Sequence, residues 1–282
     1  MGAIPFRKMN GLGNDFVVFD GRESPVAMTA EWARAIADRT TGIGCDQVIL
    51  LEPSTRADVT MRIWNNGGGE VESCGNASRC IADLLFAEKN SSTATIDTRG
   101  GFLAAMKAGE GLVTVDMGAP RFAWQDIPLS EPFADTRHIE LSVGPIEAPL
   151  IHSPSVVNVG NPHCIFWVKD LEVVDLAKTG PMLEHHLLFP EGANISLARV
   201  DGPEHVTVKV WERAAGLTRA CGTAACAVTA AGARLRKFGR RVTVALPGGP
   251  LFMEWRASDD HILMTGAVAH EFDGVLPPEL WR

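Results

Sequence analysis

No stretch of this sequence approaches the roughly 20 consecutive apolar residues a helix needs to cross a bilayer, so no helical membrane anchor is expected. Met1 to Phe16 lacks a cationic segment followed by an apolar one, the pattern of an export signal, and a cytoplasmic location is expected. Basic charge is not in excess. The net charge of −8 argues against nucleic acid or an anionic membrane as the main partner. Disulfide signatures are missing too: the six cysteines (45, 74, 80, 164, 221, 226) include no Cys-x-x-Cys, and reduced thiols are expected. No glycine-rich fingerprint follows a strand and opens a helix, which excludes a Rossmann pattern. Low-complexity stretches are absent. The one basic run, Arg234 to Arg241, reads as a solvated helix end whose cations meet the dipole.

What is present is a repeat. Val59-Thr60-Met61-Arg62-Ile63-Trp64 recurs as Val206-Thr207-Val208-Lys209-Val210-Trp211, at an offset of 147 residues (221 − 74) that also carries Cys74-Gly75 onto Cys221-Gly222. The same offset maps Gly13-Asn14 onto Gly160-Asn161, Gln47 onto Asn194 and Phe19 onto Phe166. A chain of 282 residues, 46% apolar, can build two domains of about 140 residues, each with its own core. Two like halves tend to pack about a pseudo-two-fold axis, which would set matched residues across a cleft.

The pattern predicts a strand-rich chain of mixed α/β (α+β) class. In the first half, strands are expected over Asn14–Asp20, Asp46–Glu52, Val59–Trp64, Thr93–Thr98, Gly101–Lys107 and Leu112–Met117. Helices are expected over Glu31–Asp38 and from Cys74 to about Asn90, and Gly11 to Asp15 reads as a loop with glycine hinges. In the second half, strands are expected over Val156–Gly160, Cys164–Val168, Asn194–Val200, Val206–Trp211, Arg241–Leu246, Gly249–Arg256 and His261–Thr265. Helix is expected within Glu172–Phe189 and from Gly222 to about Phe238, closed by Gly239. This last helix is apolar on nearly every side and should be buried all round. Breaker residues Gly118-Ala119-Pro120 mark the expected junction, giving domains over 1–120 and 121–266.

A cysteine at a helix start meets unpaired N–H groups and the positive end of the dipole, which lower a thiol's pKa. The same N–H groups can hold a carboxylate. Cys74-Gly75-Asn76 and Cys221-Gly222-Thr223, converging on one cleft, would flank an amino acid's α-carbon with sulfurs and stabilise charge that develops on its carboxylate. Asn14, Gln47, Asn161 and Asn194, in register with the thiols, look like groups that bind amino and carboxylate ends. The halves differ at Asn65-Asn66, which becomes Glu212-Arg213. That break suits a substrate with a second charged end, gripped by Arg213 and met by Glu212.

Other readings stay open on the residues alone. Each cysteine could be a small core hydrophobe. A zinc site drawing on Cys74, Cys80, His163 and Cys164 has no standard spacing. A racemase of proline or hydroxyproline would also use paired cysteines, but a cyclic amino acid has no distal charge for Glu212-Arg213. A non-catalytic amino-acid-binding module would leave both thiols inert.

With these residues assembled, the sequence resembles the diaminopimelate epimerases over essentially its whole length. The marks are Gly11-Leu12-Gly13-Asn14-Asp15-Phe16, Gly44-Cys45-Asp46-Gln47, Cys74-Gly75-Asn76, Gly160-Asn161-Pro162-His163 and Glu212-Arg213 followed by Ala220-Cys221-Gly222-Thr223. The resemblance implies interconversion of L,L- and meso-diaminopimelate without pyridoxal phosphate or metal, feeding lysine and peptidoglycan synthesis. It implies that Cys74 and Cys221 are the two bases. It implies substrate contacts from Asn14, Gln47, Asn65, Asn161, Asn194, Glu212 and Arg213, with His163 in support, beside the carboxylate contacts expected of the helix starts at Gly75, Asn76, Gly222 and Thr223. The implied fold is two pseudo-symmetric domains, each a barrel-like sheet wrapped round a central helix, with a final strand (about 267–282) returning to the first. The expected partner is the small molecule itself, and the expected assembly a homodimer. The chain departs from the usual pattern at Ala77, Ala214 and Ala224, where glycine is common, and at Leu217, where many relatives have Glu.

Overall fold

The computed structural model describes residues 4–72 and 74–277. It divides into two compact units, one of Met1–Asp116 with Thr265–Arg282 and one of Met117–Met264. The first unit opens on β1 (Pro5–Gly11) and β2 (Asn14–Asp20), joined by a two-residue turn. Leu12 and Gly13 have φ of 61° and 80°, the left-handed pair that a tight hairpin requires. The expected loop at Gly11 to Asp15 is therefore ladder: Asn10 pairs with Asp15 and Gly11 with Asn14. Strand β1 escapes the alternation rule because Lys8, polar by type, is buried within it.

After α1 (Ala30–Ala37) come β3 (Gln47–Glu52), β4 (Val59–Asn65), β5 (Glu70–Val71), α2 (Gly75–Lys89), β6 (Thr93–Thr98), β7 (Gly101–Gly109) and β8 (Leu112–Asp116). Strand β2 runs parallel to β3, β3 antiparallel to β4, β4 parallel to β6, and β6 antiparallel to β7. Helix α2 packs against β1, β6, β7 and β8. Its first two turns are buried all round, and it ends at Asn90 in the left-handed conformation, φ 50°.

The second unit begins with turns and a small hairpin, β9 (Ser142–Val143) with β10 (Ile151–His152). It then repeats the first unit's plan: β11 (Ser155–Asn158), β12 (Pro162–Trp167), α3 (Leu176–Glu184), β13 (Asn194–Gly202), β14 (His205–Glu212), β15 (Gly216–Leu217), α4 (Gly222–Arg234), β16 (Arg241–Leu246), β17 (Gly249–Trp255) and β18 (Ile262–Ala267). Strand β12 is parallel to β13, β13 antiparallel to β14, β14 parallel to β16, and β16 antiparallel to β17. The register repeats residue for residue: Phe16 pairs with Gln47 as His163 pairs with Asn194, and Val48 with Trp64 as Ile195 with Trp211. Helix α4 packs against β11, β12, β13, β16 and β17, and Ala224 to Gly232 are buried.

Helix α4 stops earlier than expected. Arg236, not Gly239, takes the left-handed turn at φ 56°. Lys237 N–H returns to the Gly232 carbonyl and Arg236 N–H to Ala233, both at 3.0 Å, the Schellman closure. The Phe238 ring then folds back over Gly232, where a Cβ would lie 2.1 Å from it. The basic run is also not simply solvated. Arg234 lies 4.0 Å over Phe122, Lys237 5.1 Å over Trp167 and Arg240 4.1 Å over Trp255.

Strand β19 (Ala269–Val275) pairs antiparallel with β1, Pro5 opposite Val275. The expected final strand extends to 282, and its residues 278–282 lie outside the described residues. Among the described residues, no helix is long and apolar enough to cross a membrane.

Candidate active site

In the first unit Cys74 is the N-cap of α2, its Sγ accepting the Ala77 N–H at 3.5 Å. The β1–β2 hairpin brings Asn14 to it: Asn14 Oδ1 lies 3.9 Å from the thiol and accepts Asn76 Nδ2 at 3.3 Å. Asn14 in turn donates its Nδ2 to Asp46 Oδ2 at 2.8 Å, and Asp46 also accepts the Asp15 N–H at 3.2 Å. Behind them the buried Lys8 donates to Asp15 at 2.6 Å and to the Gly44 carbonyl. Arg39 reaches both Asp15 and Asp46 at 2.7 Å. Burial alone would raise the Asp15 pKa, but hydrogen bonds from Arg39 and Lys8 outweigh it and hold the carboxyl far below the usual range. Gln47 stands opposite Asn65 across β3 and β4. Its Oε1 is buried with no hydrogen-bond partner among the described residues, so an arriving donor would satisfy it. Asn65 Oδ1 accepts the Gly69 N–H at 3.0 Å and closes its own turn.

The second unit builds the matching corner. Cys221 is the N-cap of α4, Sγ accepting the Ala224 N–H at 3.4 Å, with Thr223 Oγ1 also at 3.4 Å. The expected acidic thiol is not found here. Cys221 is 3% exposed, and burial, then the Glu212 carboxylate, push its pKa well above the ordinary thiol value. These outweigh the hydrogen bonds from Thr223 and Ala224 that favour the thiolate. The balance favours the neutral thiol.

Asn161 Oδ1 lies 2.8 Å from Nε2 of His163. His163 is fully buried, and burial, then Arg213, lower its pKa to about 3, so the ring is neutral. Asn194 is occupied at both ends: its Nδ2 donates to the Pro162 carbonyl at 3.0 Å and its Oδ1 accepts the Arg213 N–H at 3.0 Å. Its visible work is to hold the backbone at 162 and 213. Arg213 lies along Gly192, where an added Cβ would meet its Cδ at 3.1 Å, and its Nη1 donates to the Glu191 carbonyl at 2.9 Å. Glu212 accepts a hydrogen bond from Thr218.

Glu184, near the end of α3, was not singled out in the sequence. It is 5% exposed and accepts the Trp211 indole N–H at 2.7 Å and the Ala214 N–H at 2.9 Å, bracketing Glu212 and Arg213. The sequence places Asp46 in a motif and at the start of an expected strand, without a role. Glu184 is followed by His185-His186 and Asp46 by Gln47, so no local pattern in the sequence marks either carboxylate. The remaining cysteines are core thiols. Burial pushes Cys45 and Cys80 up to about 12 and raises Cys164, and Cys226 is also buried. Geometry sets Cys74 and Cys221 apart: each caps the buried helix of its unit.

Comparison with known proteins agrees. The family model for diaminopimelate epimerase matches residues 6–123 and 155–271. A diaminopimelate epimerase from Rhodopseudomonas palustris (strain BisB18) is 51% identical over 278 residues, covering 98% of this chain and 96% of the relative. Another from Afipia carboxidovorans is 52% identical, covering 98% and 96%. Among solved structures, a probable proline racemase from Agrobacterium radiobacter K84 superposes with a TM-score of 0.67 at 16% identity, covering 99% of this chain and 94% of that one. That last likeness establishes the fold, two strand-rich halves each built round a helix. On its sequence, over nearly its full length, the chain belongs to the diaminopimelate epimerase family.

Proposed function

We propose that the protein is a cofactor-independent epimerase that interconverts L,L- and meso-diaminopimelate by two-base proton transfer. The observation that carries this reading is the duplicated cap: two cysteines, each receiving the third amide N–H of a helix buried in its unit. One sulfur, as thiolate, removes the α-proton, and the electron pair moves toward the carboxylate. The other, as thiol, delivers a proton to the opposite face and leaves as thiolate. The reaction runs in both directions, so the two sulfurs exchange roles. Burial and Glu212 favour the protonated Cys221, which suits it to begin as the donor. Helix-start N–H groups from Gly75-Asn76 and Gly222-Thr223 supply the charge stabilisation. Asn14, Gln47, Asn65, Asn161 and Asn194 bind or frame the amino and carboxylate groups. Glu212 and Arg213, held by Glu184 and Asn194, serve the distal end, and His163 acts from behind. The reading extends to a cytoplasmic homodimer that supplies meso-diaminopimelate for lysine and peptidoglycan synthesis.

The test is incubation with L,L-diaminopimelate in deuterium oxide, with proline alongside. Deuterium should enter the α-carbon of the meso product, and Cys74→Ala and Cys221→Ala should each abolish net epimerisation. Arg213→Ala should cripple it. Turnover of proline with none of diaminopimelate, or full activity without either thiol, would overturn the reading.

A further inference from the structure

The repeat-related Asn14 and Asn161 are pinned by opposite ends. A carboxylate only accepts hydrogen bonds, so the Asn14 atom 2.8 Å from Asp46 is its amino end. Its carbonyl is left to face the Cys74 thiol and the Asn76 amide. In the second unit the contact is the carbonyl end, Asn161 Oδ1, against His163 Nε2 at 2.8 Å. The His163 ring is neutral, and its Nδ1 is buried with no partner among the described residues. A proton on Nδ1 would strand a buried N–H, which is rarer and costlier than a stranded acceptor. Nε2 therefore carries the proton and donates to Asn161, freeing that residue's amino end. Neither pinning group has a counterpart: the repeat places Ala193 where Asp46 would recur, and Phe16 where His163 would precede it.

We propose that Asp46 and His163 are positioning residues that lock the two repeat-related amides with opposite polarity, Asn14 as an acceptor beside Cys74 and Asn161 as a donor. The inference rests on the site reading given under the proposed function and deepens it. The lock converts a sequence repeat into a chemically asymmetric pair. It acts through the asparagines, so its signature is energetic coupling and not simple loss.

The experiment is a pair of double-mutant cycles in the full chain. Asp46→Ala is combined with Asn14→Ala, and each variant is read as kcat/KM and, without substrate, as the rate of Cys74 alkylation by iodoacetamide resolved by peptide mass. Asp46→Ala should lower kcat/KM on the order of tenfold when Asn14 is present and less than about twofold when it is absent. It should also speed Cys74 alkylation, since a freed Asn14 can donate to the thiolate, and most of that acceleration should vanish in the Asn14→Ala background. Equal effects in both backgrounds would overturn the proposal. If Asp46→Ala does not fold, Asp46→Ser serves, because a hydroxyl both donates and accepts and so releases the polarity while keeping a hydrogen bond. In the second cycle, His163→Gln retains a donor and should keep most activity, while His163→Leu should lose about tenfold only when Asn161 is present. Equal losses from Gln and Leu would count against it. The alkylation arm needs no substrate, so it still tests the lock if the wild-type chain proves not to epimerise diaminopimelate.

Discussion

Removing the Glu184 carboxylate should damage both stability and the handling of the distal end of the substrate. Glu184 is 5% exposed, and its two oxygens take the Trp211 indole N–H at 2.7 Å and the Ala214 backbone N–H at 2.9 Å. Glu184→Ala leaves both donors without this partner; Ala214 is exposed, so water can replace the acceptor there, and the cost of about 1–3 kcal/mol falls on the half-buried Trp211 indole. Removal of a buried charge offsets part of that, so a net loss of about 1–2 kcal/mol is expected. In a chain of this size about 1 kcal/mol moves Tm by roughly 2–4 °C, so the melting temperature should fall by about 2–8 °C. Glu184→Gln keeps an acceptor for the indole and should lose less than Glu184→Ala. Ala214 sits at φ 61°, a strained conformation for a residue with a Cβ, and the carboxylate holds it there. Once it is released, the turn carrying Glu212 and Arg213 relaxes, and KM for diaminopimelate should rise more than kcat falls. Calorimetry and steady-state kinetics on the three proteins decide the matter. A Glu184→Ala variant that melts within about 1 °C of wild type, with KM unchanged, would refute the bridging role.

His163 should impose an acid limb on stability. Its pKa is lowered in the folded state from 6.5 to about 3, so below 6.5 the unfolded chain binds the extra proton and stability falls at about 1.4 kcal/mol per pH unit until about 3. Urea unfolding of His163→Gln across that window should show a shallower slope, and an unchanged slope would exclude His163 as its source. Gly232→Ala gains about 1 kcal/mol of helix propensity, yet its Cβ would lie 2.1 Å from the Phe238 ring. Overpacking at about 1–3 kcal/mol should win and lower the urea midpoint. Iodoacetamide should label the half-exposed Cys74 well before the buried Cys45, Cys80, Cys164, Cys221 and Cys226. Simultaneous labelling of all six would contradict the burial pattern.

Much of the architecture was legible because the repeat fixes it twice. Val59–Trp64 and Val206–Trp211 sit in the same register against β3 and β13, so reading one half reads the other. Helix starts at Cys74 and Cys221 were legible from the change of period after each Cys-Gly. Strand β1 was hidden, since Lys8 is buried only by virtue of Asp15 and the Gly44 carbonyl, partners that local alternation cannot foresee. The end of α4 was misplaced because an arginine adopts the left-handed turn normally left to glycine. Asp46, His163 and Glu184 escaped the matching of halves for the opposite reason. Each is unmatched across the repeat, and each works through hydrogen bonds that only the folded chain forms. Cys221 lacks the acidity a helix start would give it because burial and the Glu212 carboxylate, neither visible in the local sequence, oppose that stabilisation.

Position 46 is aspartate while position 193 is alanine, and position 163 is histidine while position 16 is phenylalanine. An assembly of identical half-length chains could not arrange this, because a single coding segment would dictate both members of every pair. Carrying both copies in one chain lets the members of each pair differ. The ladder holds one register in both units while single unmatched side chains give the corresponding positions different hydrogen-bonding manners.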